Sequence, residues 1–292
     1  MNLQGVAQSS EPVVAMGESH LEPIVVQNTE GRASLQLRSI WEYRELLYFF
    51  IWRDIKVRYK QTALGASWAI IQPVFTMVIF SIFFGRLAKM PSDGVPYPLF
   101  AFTALVPWTF FSNGVSQGSR SLVTSGELVK KIYFPRLIVP IAAVCAYVLD
   151  FILALALVFG MLAYYGRVPS GNVVWLPLLF LLTLVAATGI SMWLSAMYVQ
   201  YRDIGYVLPF LLQVWLFVTP IAYPTSLLSE RWQTVYALNP MVGAVEGFRW
   251  ALLGNSHFPA TMLAISVAVS AALLVGGVYY FRHLERTFAD VV

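Results

Sequence analysis

Few residues in this chain could do bond chemistry, and their spacing does not gather them. Asp150 lies inside a long apolar run. A carboxylate there is costly unless it is paired or faces water. Two readings stay open for it: a functional charge, or a structural hydrogen bond to a neighbouring helix. Glu246 and Arg249 stand one helical turn apart and can pair. His20, His257 and His283 are far apart and share no ligand spacing, so no metal site is expected. The lone Cys145 can form neither an internal disulfide nor a cysteine metal site. The dipeptide Gly-Lys is absent, so no P-loop is present to cradle nucleotide phosphates. H-E-x-x-H and G-x-S-x-G are absent too. What remains is binding chemistry. Aromatic residues make up 15% of the chain. Trp108, Phe111, Trp193, Tyr198, Tyr201, Tyr206, Phe210 and Trp215 stand out. Their ring faces could stack on sugar C–H groups along a channel. Equally, they could be the aromatic belt found at membrane interfaces.

The elements that position these residues follow from composition. Apolar residues reach 58% and charged ones only 12%, with a mean hydropathy of +0.68. A soluble domain carries about 25% charged residues, so water is not the main solvent. The formal charge of +4 is small, and no nucleic-acid partner is expected. Crossing the hydrocarbon takes about 20 apolar residues of helix. Six segments qualify, near 66–85, 98–118, 137–162, 173–198, 205–222 and 260–281. No alternating β-barrel pattern appears. The expected fold is an all-α integral membrane protein with six transmembrane helices. With the N-terminus inside, 14 of the 19 basic residues fall on inner segments. Both termini are therefore expected in the cytoplasm.

Three further elements lie outside the six spans. Asn239 is a good N-cap, Pro240 suits the first helical position and Gly254 is a plausible stop. The helix between them is too short and too charged to span, so it reads as a re-entrant element at the outer mouth. Before the first span, Leu37, Ile40, Trp41, Leu47, Tyr48, Ile51 and Ile55 recur at helical spacing, with Arg53, Lys56, Arg58 and Lys60 at the end. This predicts an amphipathic helix over 36–62 in the interface plane near anionic headgroups. It reads either as a membrane anchor or as a docking surface, with Arg38, Trp41, Glu42 and Glu45 available. The basic loop 119–136 contains Glu127, Lys130, Lys131, Tyr133 and Phe134. It is either topogenic or a short helix that presses on a partner. The organisation expected is a cytosolic polar tail over 1–35, the interface helix, a membrane domain over 63–286 and a short tail over 287–292. No cleavable signal peptide is read in the first 35 residues.

Several short runs carry a resemblance. Arg58-Tyr59-Lys60-Gln61-Thr62-Ala63-Leu64-Gly65 leads into Trp68 and Gln72-Pro73. Lys131-Ile132-Tyr133-Phe134-Pro135-Arg136 precedes the third span. Tyr201-Arg202-Asp203-Ile204, Thr219-Pro220-Ile221 and Tyr223-Pro224 frame the fifth. Asn239-Pro240 with Glu246-Gly247-Phe248-Arg249, and the end from Phe281 to Asp290, complete the set. Together and in this order they resemble type-2 ABC permeases that export polysaccharides. The resemblance implies a homodimer in the bacterial inner membrane, bound to two copies of a separate ATPase. ATP and magnesium would bind in that partner, with no cofactor in this chain. It implies a channel for a lipid-linked, O-antigen-like glycan, with the aromatic set as lining. The 36–62 helix and the 127–134 loop would meet the ATPase, and Glu246 and Arg249 would belong to an outer gate. Two rivals are an exporter of a small drug or lipid, and a membrane enzyme acting on lipid-linked sugar. The second needs convergent acids or a metal. Asp150, Asp203 and Glu246 fall at different levels of the expected topology.

Overall fold

The computed structural model describes residues 41–60, 67–131, 134–254 and 258–285. Arg38 and Tyr133, the tail over 1–35 and the end over 287–292 lie outside them. Among the described residues every regular element is a helix. The order is α1 (Arg44–Lys60), α2 (Trp68–Phe80, running on as a wider π-helical segment Ser81–Leu87), α3 (Tyr97–Thr124) and α4 (Gly126–Lys131). Next come α5 (Ile138–Cys145), α6 (Val148–Tyr164), α7 (Leu176–Gln200), α8 (Ile204–Val218), α9 (Glu230–Tyr236), α10 (Pro240–Leu253) and α11 (Ala260–Glu285).

Four stretches are long and apolar enough to cross a membrane: Trp68–Leu87, Ile138–Tyr164, Gly171–Gln200 and Ala260–Glu285. The chain is therefore a multi-pass membrane protein on length and composition. The other two expected spans fall on α3 and α8. The 28 residues of α3 give a rod of about 42 Å, but its C-terminal half carries Thr109, Ser112, Asn113, Ser116, Gln117 and Arg120. Those residues share one side of the helix and are half-buried or exposed. Helix α8 is apolar but only 15 residues long. It stops at Val218 because Pro220 pushes the residue before it out of helical geometry, and Thr219 is extended.

The N-terminal half of α3 is the axis of the core. Leu99, Phe100, Ala101, Phe102 and Phe111 are fully buried among α6, α7 and α10. Small residues set the spacing of the next layers. A Cβ on Gly118 of α3 would sit 2.5 Å from Ser191 Oγ of α7, and one on Gly189 would sit 2.7 Å from the Leu274 backbone nitrogen of α11. Close backbone approach of this kind is how helices pack when lipid offers no hydrophobic drive between them.

A helix over Arg44–Lys60 falls inside the expected 36–62 segment, but its apolar residues go two ways instead of forming one amphipathic face. Phe50 is buried edge-on against Phe134 at 5.5 Å between centroids, with Leu46, Leu47 and Ile51 beside it. Trp41, Tyr48, Phe49, Trp52 and Val57 are exposed. The helix thus presents apolar groups to the bundle on one side and to its surroundings on the other. Nearby, Arg136 Nη1 donates to the Glu285 carbonyl at 2.7 Å and ties the loop after α4 to the end of α11.

Candidate functional site

Asp150 resolves into a cluster at the junction of α1 and α6. Arg58 Nη1 donates to Asp150 Oδ2 at 3.1 Å and to the Ala146 carbonyl at 3.4 Å. Its guanidinium lies 3.5 Å over the Tyr147 ring. The Tyr59 hydroxyl donates to the other carboxylate oxygen. Burial first, and then this carboxylate, push the Tyr59 phenol above its ordinary range, so it stays protonated and donates. Two residues in the last turn of the basic helix therefore meet the one acid in the third apolar run, so Asp150 has its partners on α1. The cluster forms one wall of a cavity of about 270 Å³ that also touches Trp68 and Gln72 of α2 and Thr109, Phe110 and Asn113 of α3.

A second cluster fastens α10 to α3 and to the segment after α8. Arg249 Nη1 donates to Glu246 Oε1 at 2.8 Å, and Nη2 donates to the Ile221 carbonyl at 2.9 Å. The guanidinium lies 3.7 Å over the Phe100 ring of α3. Both charged residues are buried inside the protomer. Asn239 caps α10 by accepting from the Met241 N–H at 3.0 Å. The same oxygen accepts from the Trp215 indole at 2.9 Å, and its amide donates to Thr219 Oγ1 at 3.0 Å. One residue thus locks the end of α8 to the start of α10. With Gly254 at φ 69°, the helix has the two ends read in the sequence.

The aromatic set divides. Trp108 and Phe111 are in the core, with Phe111 edge-on to Trp215 at 5.2 Å. Trp193 stacks on Tyr280 at 4.7 Å, and its indole donates to the Leu273 carbonyl at 3.1 Å, so it packs α7 on α11. Tyr198 is half-buried against Gly205. Tyr201, Tyr206 and Phe210 are open, at 60%, 85% and 65% exposure. Tyr206 and Phe210 share one side of α8 with exposed Gln213 and Phe217.

The residues expected to dock a partner divide too. Trp41, Glu42 and Glu45 are exposed on the first turns of the helical segment. Glu127 and Lys131 form an exposed pair at 3.0 Å on α4, which also carries Lys130. Phe134 is buried behind Phe50. Sequence reasoning took Arg58 as a headgroup contact and Asn239 as a cap only. Their long-range partners carry no sequence signal, because nothing local marks a bond across such separations. Among the described residues no group of acids, histidines and cysteine could hold a metal ion.

Comparison with known proteins places this geometry. The sequence model of the ABC-2 type transporter family matches residues 45–253. The O-antigen export system permease protein RfbA of Myxococcus xanthus is 29% identical over 260 residues, covering 88% of this chain and 98% of that protein. A protein of the same name from Klebsiella pneumoniae is 25% identical over 249 residues, covering 85% and 95%. The polysialic acid transport protein KpsM of Escherichia coli is 26% identical over 209 residues, covering 69% and 78%. The family match begins in the first turn of α1 and runs to the last residue of α10, so the chain belongs to the ABC-2 type transporter membrane family.

Proposed function

We propose that this chain is the membrane subunit of an ATP-driven exporter that moves a lipid-linked, O-antigen-like polysaccharide out of a bacterial inner membrane. The observation that carries the reading is the near end-to-end similarity to permeases named for O-antigen export, 98% of the length of the Myxococcus protein. It does no bond chemistry itself. ATP and magnesium belong to a separate ATPase bound in two copies. In this reading α3 and α8 join the four apolar stretches as spans, with both termini cytoplasmic and α1 lying in the inner interface.

A homodimer accounts for two helices that one protomer leaves bare. On α2, Phe75, Val78, Ile79, Ile82 and Phe83 are exposed. On α8, Val207, Leu211, Val214 and Val218 form an aliphatic stripe beside the aromatic one. The polar side of α3 gives the path its hydrogen-bonding groups, and Tyr206, Phe210, Gln213 and Phe217 give it stacking faces. Trp108, Phe111, Trp193 and Trp215 support that path from behind.

Force enters through the inner surface. Trp41, Glu42, Glu45, Glu127 and Lys131 are the docking residues, and Phe134 backs α1. Nucleotide binding closes the ATPases and displaces α1. The Arg58–Asp150 pair and the Tyr59 hydrogen bond carry that displacement into α6. The outer element moves as one piece, because Glu246, Arg249 and Asn239 hold it together.

Gentle affinity purification from native membranes tests the reading. A P-loop ATPase is expected in stoichiometric amount, and deletion of the chain is expected to abolish surface glycan. Reproducible recovery of the chain alone would overturn it.

A further inference from the structure

The cavity of about 270 Å³ between α2, α3 and α6 carries a set of groups that packing does not use. Gln72, which is exposed, and Asn113, which is half-buried, both line the cavity, and neither side chain has a hydrogen bond to a described residue. Unpaired amides at membrane depth are unfavourable unless water or a polar ligand meets them. Arg58 donates to Asp150 and Ala146 through Nη1 and lays its guanidinium face on Tyr147. Each oxygen of Asp150 accepts one bond and has room for another. Among the aromatic residues of the lining, Trp68 at the first turn of α2 is the open ring, whereas Phe110 of α3 is buried in the core.

We propose that this cavity is a sugar subsite: it holds one pyranose ring of the transported glycan in the inner half of the path. This rests on the exporter reading above. The chemistry selects the ligand. A phosphate would meet the Asp150 carboxylate, which already neutralises Arg58. A free cation would find one carboxylate, already paired. An acyl chain would leave both amides unsatisfied. A neutral ring with adjacent hydroxyls suits two carboxamides, a carboxylate and a guanidinium, since each planar group can bond a pair of hydroxyls. Its C–H face suits Trp68, whose ring is open. Size agrees, because drug-sized ligands take pockets of about 300–1,000 Å³ and this one is just below that range. A sugar seated here lies beside the Arg58–Asp150 tie, so displacement of α1 reshapes the site that grips it.

Photocrosslinking in the intact two-subunit exporter tests the proposal. The photoreactive residue benzoylphenylalanine replaces Trp68, or Phe210 on the open side of α8, or Val267 on the exposed side of α11. After illumination, the purified chain is blotted with antiserum to the cell's surface glycan. A glycan ladder is expected at positions 68 and 210 and not at 267. A ladder at 210 alone would overturn the subsite and leave the exporter standing. No ladder at any position, with glycan still reaching the surface, would overturn both. Attached phospholipid at 68 without glycan would make the cavity a lipid site and overturn the subsite. In parallel, Asn113→Leu is expected to lower surface glycan about fivefold, the size of one lost hydrogen bond, while Asn113→Gln largely restores it. Equal export by Asn113→Leu would count against the subsite, provided co-purification with the ATPase is normal.

Discussion

At the scale of single residues, the two ion pairs differ in burial and so in consequence. Glu246 and Arg249 are almost wholly enclosed. Removing one partner leaves the other charge stranded, at a cost of about 3–5 kcal/mol. Arg249→Met is therefore expected to lower the unfolding midpoint of the detergent-solubilised protein sharply. The double change Glu246→Met/Arg249→Met is expected to recover part of that loss, since replacing both ends of a buried pair is often tolerated. Recovery stays incomplete because the Ile221 carbonyl also loses its donor. The Arg58–Asp150 pair is more open, at 26% and 15% exposure. Its value is in what it joins. Asp150→Ala is expected to loosen α1, read as faster proteolysis at Arg53, Lys56 or Arg58. Arg58→Asp combined with Asp150→Arg is expected to restore protection that Arg58→Asp alone removes.

At the scale of elements, glycine positions decide which helices can touch. Gly189 of α7 faces the backbone of α11, where no rotamer change can make room. Gly189→Ala is expected to push the two helices apart and cost about 1–3 kcal/mol. Gly160 of α6 has open space around its Cβ position. Gly160→Ala is expected to leave the unfolding midpoint unchanged or slightly raised, since alanine is the better helix former. Thermal unfolding of both variants checks the contrast, and equal effects would remove the packing argument. Trp193 belongs to the same contact. Its stacking on Tyr280 and its bond to the Leu273 carbonyl make Trp193→Ala a stability change first. A change at Tyr206 or Phe210 is expected to act on transport with little effect on stability, because both rings are open.

At the scale of the whole molecule, the homodimer proposed above puts the bare sides of α2 and α8 where two copies meet. Single cysteines in a Cys145→Ala background are the direct probe. Phe75→Cys on α2 and Val214→Cys on α8 are expected to give copy-to-copy crosslinks in membranes, and Tyr279→Cys on α11 is not. Crosslinking only through position 279 would move the dimer interface to α11 and overturn the proposed path between α2 and α8.

Much of this molecule was legible in its sequence, for local reasons. Charge depletion fixes the solvent as lipid, and run length fixes the class as helical. Asn239, Pro240 and Gly254 mark the ends of α10 because capping is a matter of neighbouring residues. The first, third, fourth and sixth expected spans coincide with stretches long and apolar enough to cross a membrane, whereas the second falls on the partly polar α3 and the fifth on a helix that Pro220 ends early. The aromatic set was different. In a membrane both the lipid-facing and the core-facing sides of a helix are apolar, so hydropathy cannot say which rings are enclosed. Only the packed structure puts Phe111 inside and Tyr206 outside. The partner of Asp150 is likewise a tertiary fact, for Arg58 is 92 residues away in the chain. Sequence alone determined that Asp150 needed a partner or water, because an unpaired charge in hydrocarbon is too costly. The fold decided which residue would be there, because only packing brings the end of α1 beside α6.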